Sequence, residues 1–186
     1  MKLISTTRDF AIAGGFGALI VAFELSIGII IASLTGLPIL IAIADSVLLA
    51  YLIMIPPLIT RRTGIITATV LVMSLLSVPT SAFGVPGLYK ILVFLPLGVF
   101  MDLLFSVSNG RKLFMISGII IAAFVSVPYQ FFVMTQLGIP LPEGTEKLLL
   151  PIAAFAALEG AFGVWLAYMT YEKKLKNLKV VRQLQN

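Results

Sequence analysis

Residues 84–105, GVPGLYKILVFLPLGVFMDLLF, combine the hydrophobicity of a membrane span with a lysine near the start, Lys90, and an aspartate near the end, Asp102. An ionised side chain costs roughly 2.5–3.5 kcal/mol in the hydrocarbon core of a bilayer. We therefore expect both charges to face protein or water. In a helix they lie about 18 Å apart. Because this distance prevents them from pairing with each other, each needs partners on another segment.

The composition around this stretch is that of an integral membrane protein. Of the 186 residues, 60% are hydrophobic and only 11% are charged, with a mean hydropathy of +1.11. A membrane span needs about 20 apolar residues. The sequence predicts a single all-α domain, a bundle of six transmembrane helices followed by a basic cytoplasmic tail at 172–186. The predicted spans are 9–31, 37–59, 64–78, 87–105, 113–137 and 148–171.

The basic residues are arranged in clusters at alternate ends of successive apolar segments. Eleven of the thirteen lysines and arginines belong to them. An excess of basic residues marks cytoplasmic loops, so the pattern places both termini and the two arginine-containing loops in the cytoplasm. It also favours contact with anionic lipid headgroups over nucleic acid. The clusters are Lys2 and Arg8; Arg61 and Arg62; Arg111 and Lys112; and Lys173, Lys174, Lys176, Lys179 and Arg182.

The residue inventory argues against an enzyme. The sequence has no histidine and no cysteine, which excludes histidine acid–base chemistry, thiolate nucleophiles and most transition-metal sites. It also has no P-loop, GxSxG, HExxH or dinucleotide-binding fingerprint. No cofactor is predicted.

Polar residues from several spans are predicted to share one depth near the outer face. Residues that cannot face lipid indicate either a polar cavity open to the outside or a set of structural ion pairs. Three of these residues are acids (Glu24, Asp45 and Glu159) and only Lys90 is a base. The excess of negative charge favours a cationic or multiply hydrogen-bonding ligand over an anion. Asp102, nearer the inner face, is predicted to have a structural or docking role. The predicted substrate-binding residues are Glu24, Asp45, Tyr89, Lys90, Tyr129, Gln130 and Glu159.

Small residues recur along the first span. Gly14, Ala18 and Ala22 form overlapping small-xxx-small frames, a pattern that lets another helix approach the backbone closely. That helix can belong to this bundle or to another subunit, and the sequence leaves both alternatives open.

These features resemble the substrate-binding membrane subunits, or S components, of energy-coupling factor transporters. The resemblance covers the whole chain in size and layout. It is carried by the AxxxA frame Ala18–Ala22 and by the Pro-Gly, Lys and Gly-x-x-x-Asp arrangement of residues 84–104. Nickel and cobalt members of this family depend on an N-terminal histidine, whereas position 2 here is Lys2, so a metal-ion cargo is not expected.

The resemblance implies a non-enzymatic nutrient receptor in the plasma membrane of a prokaryote. It would capture a small organic micronutrient, such as thiamine or its pyrimidine precursor, and associate with a transmembrane coupling protein and two ATPases through Gly14, Ala18 and Ala22. Two alternatives remain. The intramembrane acids can serve a proton- or cation-coupled secondary transporter, or they can form ion pairs in a scaffold protein that transports nothing.

Overall fold

The protein is a bundle of helices in the computed structural model, which describes residues 2–35, 39–83, 86–139 and 144–185. Within these ranges the side chains of 2, 28, 29, 31–45, 145 and 146 lie outside the description. The long helices are α1 (Thr7–Thr35), α2 (Ile39–Thr60), α3 (Ile65–Ser77), α4 (Tyr89–Val107), α5 (Lys112–Gln136) and α6 (Thr145–Thr170).

Four of these helices are long and apolar enough to cross a membrane. The qualifying segments are Thr7–Ile27, Tyr89–Val107, Lys112–Gln136 and Lys147–Leu175. The other two apolar segments, Ser46–Thr60 and Ile65–Ser77, are shorter within the described residues. The all-α fold and the multi-pass membrane character are thus confirmed, whereas six full crossings and the cytoplasmic side of the termini stay predictions.

The six long helices form a closed ring. Neighbours contact one another in the order α1, α3, α4, α5, α6 and α2, and α2 in turn contacts α1. Glycines allow close approach at two points of this ring. Gly163 of α6 faces the Val47 carbonyl oxygen, which an added Cβ atom would contact. Gly17 of α1 faces the Thr69 carbonyl oxygen of α3, which would lie 2.8 Å from an added Cβ atom.

The first and last described segments of the chain lie at one end of this ring, together with the basic loops. The short strands β1 (Lys2–Leu3) and β2 (Arg62–Thr63) pair in parallel, with Lys2 opposite Arg62. The Arg8 guanidinium donates to the Leu184 carbonyl oxygen at 3.4 Å, and the Tyr168 hydroxyl donates to the Gly110 carbonyl oxygen at 2.7 Å. We call this end of the bundle the basic end.

The tail after α6 folds back against the basic end. A π-helical turn, Tyr171–Leu175, leads to α7 (Lys179–Gln185), in which Val181 and Leu184 are buried. The Gln185 amide donates to the Leu58 carbonyl oxygen at 3.2 Å and to the Tyr171 hydroxyl at 3.0 Å. The basic side chains of the tail are exposed, an arrangement that suits anionic headgroups.

Candidate functional site

Helix α3 is held at both ends by charged side chains of α4. At its start, the Asp102 carboxylate accepts hydrogen bonds from the Gly64 amide at 3.0 Å and from the Thr67 amide and hydroxyl, each at 2.6 Å. These amides belong to the first turn of α3, where backbone donors lack partners within the helix and the helix dipole favours a negative charge. Asp102 therefore has a structural role, one of the two roles predicted for it.

At the other end of α3, Lys90 supplies the opposite charge. Its ammonium group donates to the carbonyl oxygens of Ser77 and Thr80, each at 2.8 Å, and to that of Ala82. The Lys90 side chain is fully buried. Carbonyl groups at a helix C-terminus lack partners within the helix and favour a cation. Lys90 thus satisfies the end of α3 and the connection that follows. We call the contacts made by Lys90 and Asp102 the α3 clamp.

The connection between α3 and α4 is fixed at Phe83 by two further predicted site residues. The Phe83 amide donates to Glu24 Oε1 at 3.1 Å, and the Tyr89 hydroxyl donates to the Phe83 carbonyl oxygen at 3.1 Å. Phe83 has a left-handed backbone, with φ of 58°, which is uncommon for a residue other than glycine. Its ring packs edge-on against Phe94, with ring centroids 5.3 Å apart.

The fold therefore brings Glu24, Tyr89 and Lys90 together. Their polar groups, however, form hydrogen bonds with backbone groups of this chain. Glu24 is close enough to Lys90 for an electrostatic interaction. Glu24 Oε2 is buried and has no hydrogen-bond partner among the described residues.

The other predicted site residues lie elsewhere in the ring. Glu159 of α6 is half-buried and forms a side-chain hydrogen bond with Ser46 of α2. Tyr129 and Gln130 lie on α5, where Tyr129 is 37% exposed. The side chain of Asp45 lies outside the described residues.

An apolar cavity of about 130 Å³ lies at the centre of the ring, among α2 to α6. We call it the central cavity. Of its nineteen lining residues, only Ser46 and Ser126 carry a polar side chain. Met54, Met73 and Met101 contribute flexible, polarisable walls. Phe94, which packs on Phe83, also lines this cavity. The α3–α4 connection and the cavity therefore meet at this aromatic pair.

The chemistry of the central cavity differs from that expected from the sequence. A cavity of about 150 Å³ lined by apolar side chains stays dry and can bind benzene or xenon. None of the described acids predicted to bind substrate lines the central cavity. Glu159 reaches the cavity wall only through its hydrogen bond with Ser46, which lines the cavity. The space suits an uncharged apolar group with one polar substituent better than a cation.

The predicted docking residues face outward to different extents. Ala18 and Ala22 are exposed, and Gly14 is half-buried with no atom within 4 Å of an added Cβ atom. The small residues of α1 that are buried inside the bundle are instead Gly17 and Ala13. Among the described residues, close packing between helices therefore does not use Ala18 and Ala22.

Sequence reasoning missed the partners of the charged residues and the residues of the central cavity. Backbone carbonyl oxygens, which bind Lys90, have no sequence signature. One signal was present: the spacing between Lys90 and Asp102 matches the length of α3, which has 13 residues. Thr67 lies in the first turn of that helix and shares the Asp102 carboxylate.

The chain has no match among protein-family models, curated proteins or solved structures. Its fold and geometry define a class: a multi-pass helical membrane protein with a charge-clamped short helix and an apolar cavity at the centre of the bundle. The apolar surface of its spans indicates a lipid bilayer as its environment.

Proposed function

We propose that this protein is a membrane-embedded receptor subunit of the energy-coupling factor type, which binds a small organic micronutrient and passes it to a coupling protein and ATPases. The central cavity carries the proposal. It is lined by five helices and has the volume and lining of a space that binds a small apolar ring. In this proposal the basic end faces the cytoplasm, and all six long helices form the membrane domain.

The exposed face of α1 supports association with another membrane subunit. Ala11, Gly15, Ala18 and Ala22 follow one another at helical spacing, and all four are exposed. In lipid, small residues let two helices pack with their backbones close together, and this packing stabilises association. The coupling protein is the partner proposed for this face.

Affinity purification from native membranes tests the partner part of the proposal. The wild-type chain is expected to co-purify with a membrane protein and with ATPases that contain a P-loop. Ala18→Leu combined with Ala22→Leu is expected to lose both, because the added side chains separate the helices. Val99→Phe, which enlarges an exposed residue of α4, is the matched control and is expected to keep them. Purification of the wild-type chain without any ATPase contradicts the proposal.

Native mass spectrometry of the same preparation tests the ligand part. A small organic molecule is expected to accompany the wild-type chain and to be lost in Ala123→Phe, which fills the central cavity. Glu159→Gln is expected to keep the ligand if the acid only fixes Ser46, and to lose it if the negative charge binds a cation. A wild-type chain that is empty after growth in rich and in minimal medium contradicts the ligand part.

A further inference from the structure

A second apolar space lies between α4 and α5 and faces outward. It has a volume of about 190 Å³ and extends over about two turns of each helix, from Val93 to Phe100 on α4 and from Ile121 to Tyr129 on α5. We call it the α4–α5 crevice. Its rim is exposed, with Ile121 at 55% and Val125 at 63%. Both helices are apolar enough to span a membrane, so this rim faces lipid.

The α4–α5 crevice and the central cavity share a wall. Leu97, Ala122 and Ser126 line both spaces. Ala122 and Ser126 have small side chains, so Leu97 is the only large side chain among the three residues common to both linings. The rotation of a side chain between rotamers is a fast event that requires no movement of the backbone. Leu97 is therefore the side chain of this shared wall whose change of rotamer would do most to open a path between the two spaces.

The α4–α5 crevice is located where α4 contains a proline. Pro96 lines the crevice and lies inside α4, where it removes one backbone hydrogen bond and prevents regular packing of the helix. Pro128 lies inside α5, next to Tyr129 at the far end of the crevice. Each of the two helices thus contains a proline in or next to the crevice.

The central cavity and the α4–α5 crevice contain few polar groups. The Ser126 hydroxyl donates to the Ala123 carbonyl oxygen at 3.4 Å, and Tyr129 places its ring on the rim of the crevice. A charged molecule would meet no counter-charge among the residues that line the two spaces. A small uncharged aromatic or alicyclic molecule would lose little on leaving the lipid, because both surroundings are apolar.

We infer that the central cavity is loaded sideways from the bilayer, through the α4–α5 crevice and past Leu97, by a small uncharged ring-containing molecule dissolved in the lipid. This inference rests on the central cavity being the ligand site, as proposed above, and is independent of the coupling protein and the ATPases. The sequence favoured a cationic ligand that enters from water, whereas the two apolar spaces favour a neutral ligand that enters from the membrane.

Photolabelling with 3-trifluoromethyl-3-phenyldiazirine in lipid vesicles tests the route. The reagent partitions into lipid, and on illumination it loses nitrogen to form a carbene that inserts into neighbouring bonds. Mass spectrometry is expected to find adducts on Met54 and Met73, which are buried in the central cavity, besides those on the lipid-facing Leu103. An excess of benzene is expected to suppress the interior adducts and to leave Leu103 labelled. The absence of interior adducts in the wild-type chain overturns the inference.

Variants separate the crevice from other entrances. Ala122→Phe is expected to abolish the interior adducts by filling the shared wall, and Leu97→Ala is expected to increase them. Val99→Phe, on the same helix but outside the crevice, is the control and is expected to change neither. Labelling of Leu103 shows that each variant is inserted in lipid, and a cooperative thermal transition in micelles shows that it is folded. Ser126→Leu replaces Ala122→Phe if that variant fails either check. Interior labelling that persists in the filled variant overturns the crevice as the route, whatever the purification with ATPases shows.

Discussion

Lys90 and Asp102, on the same helix, bind opposite ends of its neighbour: the ammonium group of Lys90 binds the carbonyl end of α3, and the carboxylate of Asp102 binds its amide end. Helix α3 has 13 residues and is about 20 Å long, close to the distance between the two charges. Each charge also has the sign that the dipole of α3 favours. Helix α3 is too short to span a bilayer by itself, and these two residues satisfy the backbone groups at both of its ends.

Replacement of Lys90 should destabilise the protein, because buried carbonyl groups lose a hydrogen-bond donor. Lys90→Met keeps most of the side-chain volume but removes the lysine donor from the carbonyl oxygens of Thr80 and Ala82. The Ser77 carbonyl oxygen loses the same donor but still accepts from the Thr80 amide. We expect the free energy of unfolding in detergent micelles to fall by about 2–4 kcal/mol. Lys147→Met, which changes an exposed lysine of α6, is the control and should change it little. Equal stability of Lys90→Met and the wild type would show that the clamp does not stabilise the fold.

Asp102 and Thr67 should act as one unit. Asp102→Ala is expected to lower the free energy of unfolding by about 2 kcal/mol, because it removes the cap of α3 and a charge that its dipole favours. Thr67→Val removes one of the three bonds. A double-mutant cycle should give a coupling of about 1 kcal/mol between them. Thr135→Val, an exposed threonine of α5, should be additive with Asp102→Ala. Additivity of the Thr67 and Asp102 changes would contradict the shared contact.

The rate of hydrogen exchange at the Phe83 amide should depend on Glu24. Glu24→Ala removes its acceptor, so hydrogen exchange at Phe83 should accelerate about tenfold, the effect of losing roughly 1.4 kcal/mol of protection. Glu24→Gln keeps an oxygen acceptor and should preserve slow exchange. Glu172→Ala removes an exposed acid of the tail and serves as the control. Fast exchange at Phe83 in the glutamine variant would mean that the negative charge, rather than the hydrogen bond, holds the connection.

Two glycines should respond in opposite ways to the same substitution. Gly163→Ala places a methyl group against the Val47 carbonyl oxygen and the Ala50 side chain, so the contact between α6 and α2 should weaken by about 1–3 kcal/mol. Gly15→Ala meets no atom within 4 Å and should be neutral or stabilising by about 0.5–1 kcal/mol, because alanine loses less backbone entropy in a helix. Thermal unfolding in micelles measures both. Destabilisation by Gly15→Ala would mean that this face is covered.

The sequence predicted the helices better than it predicted the contacts of their charged side chains. Long apolar runs determine where helices form in lipid, since every backbone group must be satisfied within the membrane, and α2 ends at Thr60, within one residue of the end predicted for the second span. The need of Lys90 and Asp102 for partners on another segment was also predictable, because burying a charge is costly.

The positions and partners of the polar residues were less accessible to the sequence. Residue counts give the depth of a side chain along its helix, but they do not give the side of the ring that the side chain faces. Glu159 was therefore grouped with Lys90, although Glu159 lies between α6 and α2. Overlapping small-residue frames likewise did not reveal that Gly17, rather than Ala18 or Ala22, packs inside. The central cavity is formed by ordinary apolar residues such as Met73 and Val70, and no pattern distinguishes these from a filled core.

The way the two chain ends are joined makes them poor places to shorten this protein. Terminal residues usually tolerate deletion, but here Leu3 pairs with Thr63, and Gln185 binds the carbonyl oxygen of Leu58. Arg8 also binds the backbone of Leu184, so trimming either end removes contacts from the other. The first and last segments of the described chain thus hold each other in place through Arg8 and Leu184. A purification tag is therefore better attached through a flexible spacer than by replacing these segments.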